Sequence, residues 1–232
     1  LSANSDGLVK TNEEFAEWLK GEKTMPFGEN NEHIPVKLID FEKIERNKFI
    51  VTNQYIFKST QEKIPDIVLL VNGIPLVIGE IKTAFRPAIS WVDGAVDIVD
   101  DYQRTIPSLF VPNVLCFATE GKEYMYGTVG CPVDKWSPWR CSDEETLVST
   151  LNDINAPITK MLNPATLLDI LQYFTLFATD NKNRKIKILC RAQQYYAANK
   201  IVERVKNGRP KKGLIWHFQG SGKSLLMLFA AQ

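Results

Sequence analysis

The chain has 232 residues, 44% of them apolar and 24% charged, the balance of a globular protein with ample material for a core. No run of about 18 apolar residues occurs, which excludes a membrane-spanning helix, and the opening LSANSDGLVKTNEEF lacks the basic and apolar regions of a signal peptide. The formal net charge of +1 hides a split: from Asn181 onward there are twelve Lys/Arg against one acid, Glu203, so about +11 sits there and about −10 on the first 180 residues. A basic end of this kind suits nucleic acid or nucleotide phosphate, whereas the acidic front does not read as a free-standing DNA clamp. The four cysteines (Cys116, Cys131, Cys141 and Cys190) form no CxxC pair, so reduced thiols in the cytoplasm are expected rather than zinc or disulfides.

In chain order, Asn12 is expected to cap a helix running through Lys20, with Phe15, Trp18 and Leu19 on one face. Gly21 to Glu32 reads as a loop, and Ile34 to Asp40 and Lys48 to Phe57 alternate as strands. IPDIVLLVNGIPLVIGEIK, Ile64 to Lys82, gives two further strands joined at Asn72-Gly73. Trp91 to Tyr102 has helical spacing in Ala95, Ile98, Val99 and Tyr102, Val114 to Thr119 is a short buried strand, and Tyr124 to Val129 pairs with it. Cys131 to Arg140 is irregular, with its two tryptophans closing a core. Pro164 to Phe177 reads as an apolar helix, Asp180 to Lys187 as a polar, basic linker, and Arg191 to Val205 as another helix. Gly208 to Gly213 is a turn, Leu214 to His217 a strand entering a glycine loop, and Leu225 onward a helix in which the sequence stops, the expected front end of a longer protein.

The Ile64–Lys82 hairpin places charges at the borders of apolar runs. Glu80 and Lys82, two apart in a strand, share a face. A plain two-residue turn at Asn72-Gly73 sets Asp66 opposite Gly79, whereas a three-residue loop or a one-residue bulge sets Asp66 opposite Glu80. Pro75 cannot donate to a ladder, which favours an irregular start to the second strand. An odd loop or a bulge is therefore expected, with Asp66 and Glu80 adjacent. Two converging carboxylates are costly unless a cation lies between them, and oxygen ligands suit Mg²⁺. Asp66, Glu80 and the Ile81 carbonyl are the candidate metal ligands, and Lys82 is placed to orient or deprotonate the water attacking a phosphodiester. A salt bridge at a surface edge is the competing reading.

Near the end, HFQGSGKS (His217 to Ser224) follows an expected strand and opens a helix, the context of a phosphate-binding loop. Gly220 and Gly222 let backbone N–H groups wrap a phosphate, Lys223 reaches the β/γ-phosphates and Ser224 ligates Mg²⁺, although His217 stands where the motif has its first glycine. Upstream, Arg191 and Gln194 are spaced to stack on and hydrogen-bond adenine. With so little of an ATPase present, the 232-residue chain is expected to hydrolyse no ATP.

The pattern P-D-x₁₃-E-x-K resembles the PD-(D/E)xK nucleases. With KFIVTNQYIFKSTQEKIPDIVLLVNGIPLVIGEIKTA, IPSLF at Ile106 to Phe110, and GLIWHFQGSGKSLLM following in one order, the chain from about Lys48 onward resembles the R (restriction and motor) subunit of type I restriction–modification enzymes. The resemblance implies an α/β fold: a PD-(D/E)xK nuclease-like mixed central sheet flanked by helices, followed by the start of a RecA-like helicase domain. The expected division is a nuclease domain over 1–163, a connecting helix and linker over 164–187, and the truncated beginning of the first RecA-like ATPase domain over 188–232.

By motif the resemblance makes Asp66 and Glu80 metal-binding and Lys82 catalytic, with Gly220, Gly222, Lys223, Ser224, Arg191 and Gln194 serving ATP. The family's Gln-x-x-x-Tyr element is altered: Tyr102, a further catalytic candidate, takes the Tyr position, but Ile98 stands at the Gln position. The implied function is a Mg²⁺-dependent type I endonuclease that, in the full-length protein, translocates duplex DNA with ATP beside methyltransferase and specificity subunits. A nuclease-like coupling module and a repair nuclease–helicase are the alternatives.

Overall fold

The computed structural model describes residues 7–86, 88–140 and 154–232. The elements are α1 (Leu8–Leu19), β1 (Thr24–Phe27), β2 (Glu32–Pro35), β3 (Phe49–Asn53), β4 (Phe57–Lys58), β5 (Glu62–Lys63), β6 (Ile67–Val71) and β7 (Ile74–Ile81). A crossover helix, α2, follows as Trp91–Val96, a π-helical segment Asp97–Tyr102 and a closing turn Gln103–Thr105. After it come β8 (Leu115–Thr119), β9 (Tyr124–Gly127), β10 (Ser137–Pro138), α3 (Asn155–Met161), α4 (Pro164–Tyr173), β11 (Thr175–Thr179), β12 (Lys185–Leu189), α5 (Ala192–Asn207) and α6 (Lys223–Ala230).

The centre is a mixed six-stranded sheet in the order β10-β9-β8-β7-β6-β3. Its neighbours are antiparallel except β7 and β8, whose parallel pairing requires the crossover that carries α2. Side chains alternate between two cores, as a sheet covered on both faces demands. Leu115 and Phe117 of β8 join Leu167, Leu168 and Ile170 of α4 on one face, while Cys116 and Ala118 meet Ala95 and Ile98 of α2 on the other.

The hairpin β6–β7 breaks this alternation once. Asn72 and Gly73 form a two-residue turn with φ of 53° and 83°, pairing Val71 with Ile74. Leu70 then pairs with Pro75 but Leu69 pairs with Val77, leaving Leu76 as an extra residue. Consecutive Leu76 and Val77 both enter the α4-side core, and from Ile78 onward the parity is reversed. The bulge is bolted down at its carbonyl: Leu76 O accepts from Val114 N at 2.7 Å and from Asn113 Nδ2 at 3.3 Å. Asn113 also donates to Leu115 O at 2.8 Å, and its own carbonyl accepts from Asn12 Nδ2 at 2.9 Å and Lys187 Nζ at 2.6 Å.

Several expectations are corrected. The first helix begins at Leu8, and Asn12 lies inside it, its amide donating to the carbonyls of Phe110, Val111 and Asn113 at the end of the crossover. The expected loop Gly21 to Glu32 holds β1, paired with β2 in a separate hairpin whose turn uses Gly28 and Asn31 at positive φ. Pro26 fits there because a two-stranded ribbon is all edge. The helix from Pro164 closes at Tyr173, and the expected linker is the turn and second strand of the β11–β12 hairpin. Asp180 organises that turn by accepting from the backbone N–H of Lys182 and Arg184. Burial pushes the Lys187 ammonium down to about 7 and seats it in the core, contrary to a solvated linker. Trp136 and Trp139 are buried as expected, the latter ringed by Tyr126, Tyr195 and Tyr196. Cys116, Cys131 and Cys190 are free thiols, while Cys141 lies outside the described residues. Among the described residues no helix is long and apolar enough to cross a membrane.

Replacing Asn113 with Ala strips the bulge carbonyl of one donor and removes the side-chain tie to Leu115 O. The expected loss is about 1–3 kcal/mol of unfolding free energy, read from the denaturant midpoint.

Candidate active site

Asp66 directly precedes β6, and Lys82 directly follows β7, so both sit with Glu80 at the open end of the hairpin. Ile67 lies opposite Gly79, so the register continues with Asp66 opposite Glu80, through the bulge foreseen from Pro75. Asp66 is fixed from two sides: Gln54 Nε2 donates to its Oδ1 at 2.7 Å, and Ile81 N to its Oδ2 at 2.9 Å. Gln54, which sequence reasoning did not single out, is held by its own N–H to the Asp66 carbonyl and has a positive φ of 49°.

Glu80 is buried beneath α2. A Cβ on Gly94 would lie 3.2 Å from Glu80 Cβ and 3.3 Å from Ala118 Cβ, so glycine sets how closely the helix covers the carboxylate. Glu80 Oε1 accepts from Lys82 Nζ at 3.1 Å and from Tyr102 OH at 3.5 Å, while its buried Oε2 bonds to nothing among the described residues. Burial, and then the neighbouring Asp66 charge, push the Glu80 carboxyl up to about 7 against the pull of Lys82. At Lys82, burial opposes the charge, but hydrogen bonds and charges from Asp97 and Glu80 outweigh it and hold the ammonium above the usual lysine range. Tyr102 is raised by burial and by Glu80 and Asp97, so its phenol stays protonated.

Asp66, Glu80, Lys82 and Tyr102 thus come together. Among the described residues no group of three or more His, Cys, Asp and Glu side chains is placed to hold a metal, so the candidate oxygen set is the two carboxylates with the Ile81 carbonyl. The unbonded Glu80 Oε2 fits that set, because a buried anionic oxygen without a partner is costly and a cation would satisfy it. Asp97, whose Oδ2 lies 2.5 Å from Lys82 Nζ, belongs to the cluster and was missed from sequence.

The nucleotide-loop candidates form a separate group. Gly220 and Gly222 take φ of 82° and 78°, and α6 begins at Lys223, whose Nζ turns back to the carbonyls of His217 (3.2 Å) and Phe218 (3.1 Å). Gln194 is buried, accepts from Arg191 N at 2.8 Å and donates to Gly222 O at 3.0 Å and Ser221 O at 3.3 Å, clasping the loop to the start of α5. The Arg191 side chain is exposed. The strand expected over Leu214 to His217 is not formed: no described strand pairs with it, and Leu214 and Trp216 are 84% and 88% exposed.

Residues 1–132 match the family described as the N terminus of the type I restriction enzyme R protein. The chain belongs to this family. Residues 193–232 match the SWI2/SNF2 ATPase family. The type I restriction enzyme HindI endonuclease subunit of Haemophilus influenzae is 31% identical over 97% of this chain and 22% of its own length. Two putative type I endonuclease subunits of Methanocaldococcus jannaschii, MjaVIIIP and MjaIXP, are 33% and 32% identical over 85% and 94% of the chain. The chain spans about a fifth of the length of these relatives.

In this R-protein N-terminal chain, Glu80 binds its proton more tightly when folded than a free glutamate side chain, whose ordinary value is 4.5. Its contribution to stability is therefore fully present below about pH 4.5 and is lost as pH rises to about 7. Glu80→Gln is expected to remove that loss, so that in EDTA its melting temperature gains on the parent across this window and the gap levels off above it. A gap independent of pH would contradict the assigned burial of charge.

Proposed function

We propose that this chain is the Mg²⁺-dependent endonuclease module of a type I restriction enzyme, hydrolysing phosphodiester bonds of duplex DNA. The observation that carries the reading is the buried Glu80 Oε2, bonded to nothing among the described residues, on a strand position opposite Asp66, with Lys82 hydrogen-bonded to the other oxygen of the same carboxylate. Asp66, Glu80 and the Ile81 carbonyl would hold the ion. Bound there, Mg²⁺ would supply Lewis-acid polarisation of the scissile phosphate.

The chain's own groups divide the remaining work. Gln54 and the Ile81 N–H orient Asp66. Lys82, held as an ammonium, orients the attacking water and offsets negative charge developing on the phosphate, a role its raised proton affinity supports better than that of a base. Tyr102 stays a hydrogen-bond donor to Glu80. The mixed sheet with helices on both faces supports a nuclease-like fold, and because α4 is one of the covering helices the nuclease-like unit would take in Pro164–Tyr173 rather than end at residue 163.

Residues 188–232 we assign to the beginning of a RecA-like motor domain, supported by the SWI2/SNF2 match and the glycine loop. Gly220, Gly222, Lys223 and Ser224 would take ATP phosphates and Mg²⁺, and Arg191 and Gln194 the adenine side. In the full-length protein this motor would drive DNA translocation in the cytoplasm, in a complex with methyltransferase and specificity subunits. The names of the relatives, endonuclease subunits of type I restriction enzymes, support membership of a multi-subunit restriction enzyme.

The test uses full-length protein in its complex, with circular plasmid, ATP and Mg²⁺. Lys82→Ala is expected to lower strand cleavage by about 10²–10³-fold while ATP turnover persists. Cleavage at the parental rate would mean that Lys82 is a structural ion pair.

A further inference from the structure

Lys82 is gripped by two carboxylates, and only Glu80 belongs to the hairpin. The other, Asp97, comes from the π-helical segment of α2. In an α-helix the residue sharing a face with Tyr102 would be four positions earlier, at Ile98. Here the turn is wider: Gln103 N bonds to Ile98 O, five residues back, and Asp97 and Tyr102 share the site-facing side instead. The side chains agree. Asp97 reaches Lys82 at 2.5 Å, Tyr102 reaches Glu80 at 3.5 Å, and Ile98 is fully buried among Ala95, Ile106 and Phe110.

The other acids of α2 are engaged elsewhere. Asp93 closes the capping box with Ser90, Asp100 pairs with Arg104 at 2.8 Å, and Asp101 with Lys63 at 2.6 Å. Asp97 is the member of the helix turned to Lys82.

This arrangement answers a conflict inside the proposed site. Glu80 cannot give its full charge both to a dication and to Lys82. A dication at Glu80 also repels the ammonium beside it, so Lys82 needs a second counter-charge to stay in place. We propose that Asp97, brought round by the π-turn of α2, is the positioning residue that holds Lys82 over the reacting phosphate when Glu80 turns to the metal. The inference rests on the nuclease reading above.

The test compares the parent with Asp97→Asn, Asp97→Glu and Glu80→Gln in the full-length protein within its complex. First-strand nicking and ATP turnover are scored while free Mg²⁺ is varied at fixed Mg·ATP. Asp97→Asn is expected to cut about 10–100-fold more slowly at saturating Mg²⁺, with the half-saturating Mg²⁺ concentration and ATP turnover unchanged. Asp97→Glu, which restores the carboxylate, is expected to recover most of the rate. A raised Mg²⁺ requirement would make Asp97 a metal ligand, and a parallel fall in ATP turnover would make it structural; either overturns the proposal. If Glu80→Gln abolishes nicking but Asp97→Asn nicks at the parental rate, the Asp97 inference alone is wrong. If Glu80→Gln nicks normally, the nuclease reading falls and the inference with it.

Discussion

The extra residue at Leu76 is the constraint on which the rest of the site depends. A strand alternates its side chains, so without the bulge the face holding Ile74 and Leu76 would also receive Glu80, and α2 would cover a different set. With it, Glu80 crosses to the face of Asp66 and of α2. One backbone irregularity thereby converts two scattered acids into a pair. Its anchoring is not local: the Leu76 carbonyl is held by residues 113 and 114 at the end of the crossover, and Asn113 is tied in turn to α1 through Asn12 and to β12 through Lys187. Elements distant in sequence thus share in setting the hairpin register.

What the bulge creates is an electrostatic arrangement that is poor in isolation. Glu80 is buried, faces a second carboxylate, and keeps one oxygen without a partner among the described residues. Lys82 offsets part of that cost, and Asp97 in turn fixes Lys82. Groups whose environments push their proton affinities in this way concentrate at functional sites, and here packing enforces the arrangement. Gly94 admits α2 against Glu80, and Gly79 admits the Phe117 ring, which a Cβ there would strike. The small residue at the α2 contact lets that helix close over a charge instead of an apolar side chain, while Gly79 serves the opposite, α4-side core.

Much of this was legible in the sequence, and the limits are physical. Pro75, which cannot donate to a ladder, favoured an irregular start to the second strand and with it the pairing of Asp66 with Glu80; the run VLCFAT and the helix from Trp91 followed from burial pattern and period. Asp97 was hidden because spacing arguments assume 3.6 residues per turn, and a π-turn shifts the site-facing position from Ile98 to Asp97. Asn12 looked like a cap because its residue type favours one, yet its amide serves the carbonyls of a segment about a hundred residues away. The β11–β12 hairpin read as helix and linker, since its polar turn resembles a solvated tether until Lys187 is seen buried. Leu214 to His217 has the residues of a strand, but strand formation needs a neighbour to supply the ladder.

The most direct measurement of the central claim is a crystal structure of the chain grown with Mn²⁺ in place of Mg²⁺, with anomalous scattering used to locate the metal. The account predicts a peak between the Asp66 and Glu80 carboxylates, within bonding reach of the Ile81 carbonyl, with Leu76 bulged and Lys82 retained by Asp97. Asp66 and Glu80 on opposite faces of a regular hairpin, or a fully occupied metal elsewhere with this pair empty, would contradict it.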